Sequence, residues 1–264
     1  MNNSGVIDIP WSLLALFFST LAIPLYISRH FNLNIGRDTF TSILRMTIQL
    51  LLVGIYLEYL FKLNSVLVNI TWLILMTLVG ASSIINKANL PYKRLMYPVT
   101  TSLLCSLLPM LAVLSVLVIK PKPLFNAQYI IPLAGMLLGN SLSGNIVALQ
   151  NLFTSIDSRY SEYEAAIALG ASSKFATQSF VTEAIRKSLA PSLATMATTG
   201  LVTLPGMMTG QILGGASPII AIKYQLLIMI AIFVALSISL SLTLTLTIHH
   251  CISKEGKILV IPKP

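Results

Sequence analysis

The chain has 264 residues, of which 55% are hydrophobic and 9% are charged, and its mean hydropathy is +0.84. Soluble domains carry about 25% charged residues, so this composition excludes a soluble fold. The net charge of +9 is spread over short loops and is not gathered with aromatic residues in one patch. This distribution argues against a nucleic-acid partner and favours cytoplasmic loops that face anionic lipid.

Seven apolar segments, each roughly 18 to 30 residues long, have the length needed to cross about 30 Å of hydrocarbon. The sequence therefore predicts an all-α polytopic membrane protein, embedded in the lipid bilayer as a single permease domain over residues 1–264, with about seven transmembrane helices. The segments are Trp11–Ser28, Ile43–Phe61, Ser65–Ile85, Met96–Ile119, Tyr129–Leu149, Ala190–Gly214 and Ile219–Ile248.

The end of the last segment, Ser237–Ile248, alternates polar and apolar residues with the period of a β-strand. An isolated strand in lipid would leave its backbone groups without hydrogen bonds, at a cost of several kcal/mol each. In a helix, the Ser and Thr hydroxyls bond to carbonyls one turn back. The sequence therefore predicts a helix here.

The loop charges predict the orientation of the chain. Of the 17 Lys and Arg residues, thirteen fall in the loops on the side of the C-terminus and four on the other side. By the positive-inside rule, the N-terminus lies outside and the C-terminus lies in the cytoplasm, in a multi-pass protein of the cell membrane.

One long cytoplasmic loop, over residues 155–189, separates the fifth and sixth predicted spans. Ser161 and Glu164 have the spacing of a helix-capping box, and Gly170 suits the position after a helix end. A second helix is predicted after Ser172 and Ser173. The first helix is rich in small residues, which allow another protein surface to approach its backbone closely. This favours docking on a protein. The alternative is an amphipathic helix that lies on the lipid surface.

The stretch EAAIALGAS resembles the EAA loop of ABC-transporter permeases, whose coupling helix inserts into a groove of the nucleotide-binding subunit. The residues that match this motif are Glu164, Ala165, Ala166 and Gly170. The resemblance implies that they couple the chain to a cytoplasmic ABC ATPase.

Across nearly the whole chain the sequence resembles the FetB family of membrane proteins. The motifs are AGMLLGN, ALGAS, AIRKSLAPS, GLVTLPGMMTGQILGG and AIKYQLLIM. The resemblance implies a permease that pairs with a separate ATPase. It also implies iron or related metal export in bacteria, and aluminium tolerance or UDP-glucose transport in plants. We expect a homodimeric ABC exporter of iron or a related metal; the alternatives are another substrate, such as a nucleotide sugar, or a stand-alone secondary transporter.

No phosphate-binding loop is present in the sequence, since the nearest string, GASSKF from Gly170, has the wrong spacing and residues. No nucleophile–base pair or metal-ligand set is recognisable either. We therefore expect that the chain is not an enzyme and binds no metal or cofactor as a resident group, and that ATP and Mg²⁺ bind to the partner subunit.

Polar residues within the spans are candidates for the transport pathway. Asn140 and Asn145 lie in the fifth span and Gln211 in the sixth; each either lines the path or makes interhelical hydrogen bonds. The one clear acid, Glu58, is expected either to reach interfacial water or to pair with Lys62 on the next turn.

The motif LPG within the sixth span predicts a kink or an unwound turn at Pro205 and Gly206, acting either as a hinge or as a static bend. Met207 and Met208 form a pliable wall there. Thioethers are soft ligands that suit iron poorly, so a packing role is favoured over metal ligation.

Overall fold

The computed structural model describes residues 7–33, 35–253 and 256–259, so both ends of the predicted domain 1–264 lie outside the described residues. The described residues form α-helices joined by short turns and contain two isolated backbone bridges but no β-strand. The protein is thus an all-α polytopic membrane protein, as predicted.

Six helical segments among the described residues are long and apolar enough to cross a membrane. The first segment joins α1 (Trp11–Phe18) and α2 (Ala22–His30) through the 3₁₀ turn Ser19–Leu21. The fourth segment consists of α5 (Tyr92–Ala112) and the π-helical turns Val113–Ile119 that follow it. The other helices are α3 (Gly36–Leu63), α4 (Val66–Lys87), α6 (Ala127–Ser158) and α11 (Pro218–Cys251).

The predicted sixth span, Ala190–Gly214, is not one helix. It comprises the second part of α9 (Gln178–Thr198), an irregular stretch at 199–205, and α10 (Gly206–Leu213). The break lies where the Leu-Pro-Gly motif predicts one, and Gly200 has a φ of +91° that favours glycine. The count of seven crossings stays a prediction, because this broken segment is not among the six continuous ones.

The loop between α6 and α9 holds two short helices, α7 (Tyr160–Ala168) and α8 (Ser173–Ala176). The predicted capping box is wrong. Because α6 leads into α7 through Arg159 alone, the Tyr163 amide already donates to the Arg159 carbonyl (3.3 Å), and no side chain caps α7. Residues 155–158 and 178–189 of the predicted loop belong to α6 and α9.

The turn after α7 agrees with the sequence. Gly170 has a φ of +87°, and its amide donates to the Ile167 carbonyl (2.9 Å) while the Ala171 amide donates to the Ala166 carbonyl (3.0 Å). This paired arrangement is the Schellman motif, which requires a residue that tolerates positive φ. The next helix begins where predicted, after Ser172, whose hydroxyl accepts a hydrogen bond from the Phe175 amide (3.3 Å), but it ends at Ala176, and α9 then begins at Gln178.

The buried core lies mainly between α4, α5, α6 and α11. In α1, α2 and α3, by contrast, the buried residues are Ser28 and Leu60, and the apolar side chains of these helices are largely exposed, as suits a lipid environment.

The segment Ser237–Ile248 is helical, which confirms the prediction. Its buried hydroxyls, Ser239, Thr243 and Thr247, are four residues apart and so share one face of α11. In a sequence that alternates every two residues, every second polar residue is four positions from the last, which is close to one helical turn. A strand-like sequence can therefore also place its polar residues on one face of a helix.

Candidate functional site

A cavity of about 210 Å³ lies between α6, α9 and α11. The side chains around it are uncharged, and five of the eleven lining residues have a hydroxyl or amide group that can form hydrogen bonds. It is lined by Asn140, Ser143, Gly144, Val147, Ser188, Pro191, Ser192, Thr195, Met229, Ile232 and Leu236. A cavity with this lining can hydrogen-bond a passing solute but carries no charge to retain an ion.

The hydroxyls of α9 form one face of this cavity. Ser188, Ser192 and Thr195 recur at helical spacing, so they project on the same side of the helix. The Ser188 and Thr195 hydroxyls donate to the carbonyls of Ala184 (2.7 Å) and Pro191 (2.9 Å), and their oxygens can still accept. The sequence did not lead us to predict this face. The helical spacing of the three hydroxyls beside Pro191 is the pattern that could have indicated it.

Two predicted pathway residues of α6 have different surroundings. Asn140 lines the cavity, and its side-chain amide donates to the Met136 carbonyl (2.8 Å). Asn145 is fully buried and donates to the Ser141 carbonyl (2.7 Å) and to the Ser239 hydroxyl of α11 (2.8 Å). Asn145 thus makes the interhelical hydrogen bond that is one of the two alternatives from the sequence, whereas Asn140 lines the cavity and its role in the pathway stays a prediction.

The predicted hinge residues lie around the start of α10, away from this cavity. Pro205 is the N-cap of α10 and Gly206 its first residue. Met207 packs against the buried core, and Met208 and Gln211 are half-buried. The Gln211 side-chain oxygen has no hydrogen-bond partner among the described residues. The structure therefore does not bring these residues together with Asn140.

A second cavity, of about 400 Å³, lies between α8, α9 and the last turns of α11. Both cavities lie along the contact between α9 and α11, because each is lined by residues of both helices. Ser188 and Leu236 line the first, and Val181 and Ile248 line the second. Between the two linings, the α11 residues Leu240 and Leu244 are fully buried.

The loop helix α7 is anchored on one side and open on the other. The buried Tyr163 hydroxyl donates to the Gly256 carbonyl (2.7 Å), and burial raises the pKa of this phenol. The motif residues Glu164, Ala165 and Gly170 are exposed, whereas Ala166 is half-buried.

Next to these residues is an open groove of about 420 Å³, lined by Glu162, Ala166, Phe175, Ala176, Gln178, Ser179 and Phe180. Two large apolar side chains protrude beside it: Leu169 is 89% exposed and Phe175 is 74% exposed. Sequence analysis did not single them out, because isolated apolar residues in a loop give no pattern. Together with the small residues Ala165, Ala166 and Ala168 of α7, they form a surface suited to protein docking. We call it the loop surface.

Charged side chains connect the loop to α9. Arg159 Nη2 lies 2.6 Å from Glu183 Oε2, and Lys187 Nζ lies 2.8 Å from Glu183 Oε1. The hydrogen bond from Lys187, with further help from the charges of Lys187 and Arg159, lowers the pKa of Glu183. Glu58 is separate from all these sites and pairs with Lys62 at 2.8 Å, which is one of the two alternatives from the sequence.

No group of three or more His, Cys, Asp or Glu side chains that could hold a metal ion occurs in the described part of the chain.

Comparison with known proteins gives a family match over residues 11–252, to the Uncharacterised protein family (UPF0014). Protein ALUMINUM SENSITIVE 3 of Arabidopsis thaliana is 34% identical, over 81% of this chain and 77% of its own. The UPF0014 membrane protein YjkA of Bacillus subtilis is 31% identical, over 82% and 85%. A protein of Escherichia coli named "Probable iron export permease protein FetB" is 30% identical, over 81% and 82%. No solved structure matches the chain.

Proposed function

The chain is a membrane permease of the UPF0014 family, and from this premise we propose that it is the membrane subunit of an ABC transporter. It exports iron or a related metal, and a separate cytoplasmic ATPase subunit supplies the energy. The observation that carries this proposal is the loop surface, where exposed Leu169 and Phe175 flank the small residues of α7. ATP and Mg²⁺ bind to the partner, because this sequence has no phosphate-binding loop, and the chain itself is neither an enzyme nor a cofactor-binding protein.

The contact between α9 and α11 is the proposed route of the substrate. The neutral hydroxyl and amide groups of the first cavity can exchange weak bonds with a passing metal ion or its chelate and then release it, whereas carboxylates would hold iron tightly. The second cavity is lined by Lys174 and His249, so it carries positive charge and no carboxylate. We assign Leu240 and Leu244, which are fully buried between the two linings along α11, as the residues that close this route. The break at 199–205 allows α9 and α10 to move separately, which is the hinge role expected of Pro205 and Gly206.

A second copy of the chain completes the membrane subunit. Residues 199–205 lie about 12 Å beyond Ala190 along α9, at a depth where irregular backbone is tolerated only when protein or water covers it. Leu201 is 92% exposed and Val202 78% exposed there. In a homodimer the partner copy covers this stretch.

In the cell membrane, the loop surface faces the cytoplasm and the N-terminus lies outside, following the excess of Lys and Arg on the loop side. This orientation presents the loop surface to a cytoplasmic ATPase.

The proposal is tested by transport into inside-out vesicles from cells that express the chain together with the ATPase that copurifies with it. Iron(II) uptake should require ATP and should stop with vanadate. Uptake that continues without ATP, or that follows an ion gradient, would favour a secondary transporter instead.

A nucleotide sugar is a second candidate substrate, favoured by the hydroxyl and amide lining of the cavity, which suits a polyhydroxylated solute. In the same vesicles, ATP-dependent uptake of UDP-glucose without iron uptake would establish this alternative.

A further inference from the structure

Arg159 occupies the junction between α6 and the loop helix α7. Its amide donates to the Ser155 carbonyl (3.1 Å), and its carbonyl accepts from the Glu162 amide (3.1 Å), so the residue closes one helix and opens the next. Its φ of −121° and ψ of 37° depart from helical values. The chain therefore changes direction here, and the angle of α7 is not fixed by a continuous helix.

The Arg159 side chain reaches across this junction to α9. In addition to the 2.6 Å bond to Glu183, its guanidinium carbon lies 4.6 Å from the ring centre of Phe180, which is buried. Its other terminal nitrogen lies 3.9 Å from Glu162 of α7. The Arg159 guanidinium thus contacts both α7 and α9, and the backbone of the same residue ends α6.

These contacts fix the orientation of the Arg159 side chain more than they contribute to the free energy of folding. Exposed ion pairs contribute little to folding, and the Arg159 and Glu183 side chains are each 36% exposed. A planar guanidinium, however, is held in orientation when it meets a carboxylate and an aromatic ring together. From this contact α9 continues as one helix to Thr198 and carries Ser188, Ser192 and Thr195 into the cavity.

We propose that Arg159 is a positioning residue that holds α7 at a fixed angle to α9, so that displacement of the loop surface moves the cavity-lining face of α9. This inference rests on the proposed function, because the displacement comes from the docked ATPase. A residue at a helix junction that bonds to a neighbouring helix can transmit such a movement without touching substrate or ATPase.

The angle between α7 and α9 can be measured in the full chain alone. Spin labels are attached to Leu169→Cys and Leu193→Cys in a chain whose native Cys105 and Cys251 are replaced, with excess unlabelled chain added so that pairs within one copy dominate. Pulsed electron resonance in lipid nanodiscs should give a narrow distance distribution. Arg159→Gln should broaden and shift it, because α7 loses its link to α9.

A double-substitution cycle separates this link from general loosening. Glu183→Ala should broaden the distribution as Arg159→Gln does, and the two together should add little more, since both remove one shared contact. Lys187→Gln is the matched control; it leaves the Arg159 contact intact and should keep the narrow distribution. An unchanged distribution in Arg159→Gln, or additive broadening in the pair, overturns the proposal.

Transport gives an independent readout. The Arg159→Gln chain should still copurify with its ATPase, but iron(II) uptake for each ATP hydrolysed should fall in inside-out vesicles. Full uptake for each ATP hydrolysed would overturn the transmission role. If the unsubstituted chain moves no iron(II) with ATP, the proposed function fails, whereas the distance measurement still decides whether Arg159 fixes the helix angle.

Discussion

At the scale of single residues, one glycine decides how closely α6 approaches α11. A Cβ added at Gly144 would overlap the Leu236 side chain, whereas one added at Gly139 would meet no atom within 4 Å. The sequence alone does not show which of the two glycines faces a neighbouring helix, because this depends on how α6 is rotated. Asn140 and Asn145 differ in their surroundings for the same reason.

Gly144→Ala should therefore force the buried Leu236 side chain to shift and should destabilise the protein by about 1 kcal/mol, the low end of the cost of overpacking. Gly139→Ala is the matched control and should be neutral or slightly stabilising. Thermal unfolding of both variants in detergent measures the difference. Equal melting temperatures would contradict the close approach of α6 and α11.

Filling the cavity between α6, α9 and α11 should block transport. Ser192→Phe places a ring where the hydroxyl lines the cavity, so ATP-dependent iron(II) uptake should be lost while the ATPase still copurifies. Leu193→Phe adds a ring on the neighbouring residue, which is 51% exposed and does not line the cavity, and should leave uptake intact. Unimpaired uptake in Ser192→Phe would place the route elsewhere.

At the scale of helices, hydropathy predicted where apolar segments lie but not where helices end. The ends of α6 and α9 extend into the predicted loop, because a helix can leave the bilayer without a change of backbone structure. The capping signal at Ser161 and Glu164 was misleading, since α6 leads directly into α7. Local signals that specify a backbone shape, at Gly170 and at Leu-Pro-Gly, correspond to the observed turn and break. The contact of Arg159 with Glu183 has no sequence signal, because it joins residues of different helices.

Pro205→Ala tests whether the break at 199–205 works as a hinge. Alanine restores an amide and favours helix, so α9 and α10 should join more readily and iron(II) uptake should fall, with ATPase association retained. Pro132→Ala, inside the continuous helix α6 and outside the lining of the cavity, is the matched control and should leave uptake intact. Unchanged uptake in Pro205→Ala would mean that the break is a static bend.

At the scale of the whole molecule, six helical segments of the described residues are long and apolar enough to cross a membrane, and the broken segment at 190–214 brings the predicted count of crossings to seven. The ends of the bundle differ. The Asn64 side chain accepts from the Ala127 amide (3.0 Å) at one end, and α7 and α8 lie at the other. Composition alone predicted a polytopic helical protein, but the pairing of α9 with α11 depends on packing that a single sequence does not reveal.

The predicted orientation can be measured with single cysteines at the two ends. In intact cells, a membrane-impermeant maleimide should label Leu63→Cys, 48% exposed, and should not label Leu169→Cys until the membrane is opened. The reverse pattern would place the loop surface outside the cell and exclude docking of a cytoplasmic ATPase.

Docking of an ATPase on the loop surface is the step on which the proposed function depends, and crosslinking from that surface detects it. A photoreactive amino acid at position 169 of the full chain, in the native host, should crosslink to a protein that mass spectrometry identifies by its phosphate-binding loop. The same group at position 63, at the opposite end, should not. Crosslinks from position 169 only to lipid or to the chain itself would contradict the account.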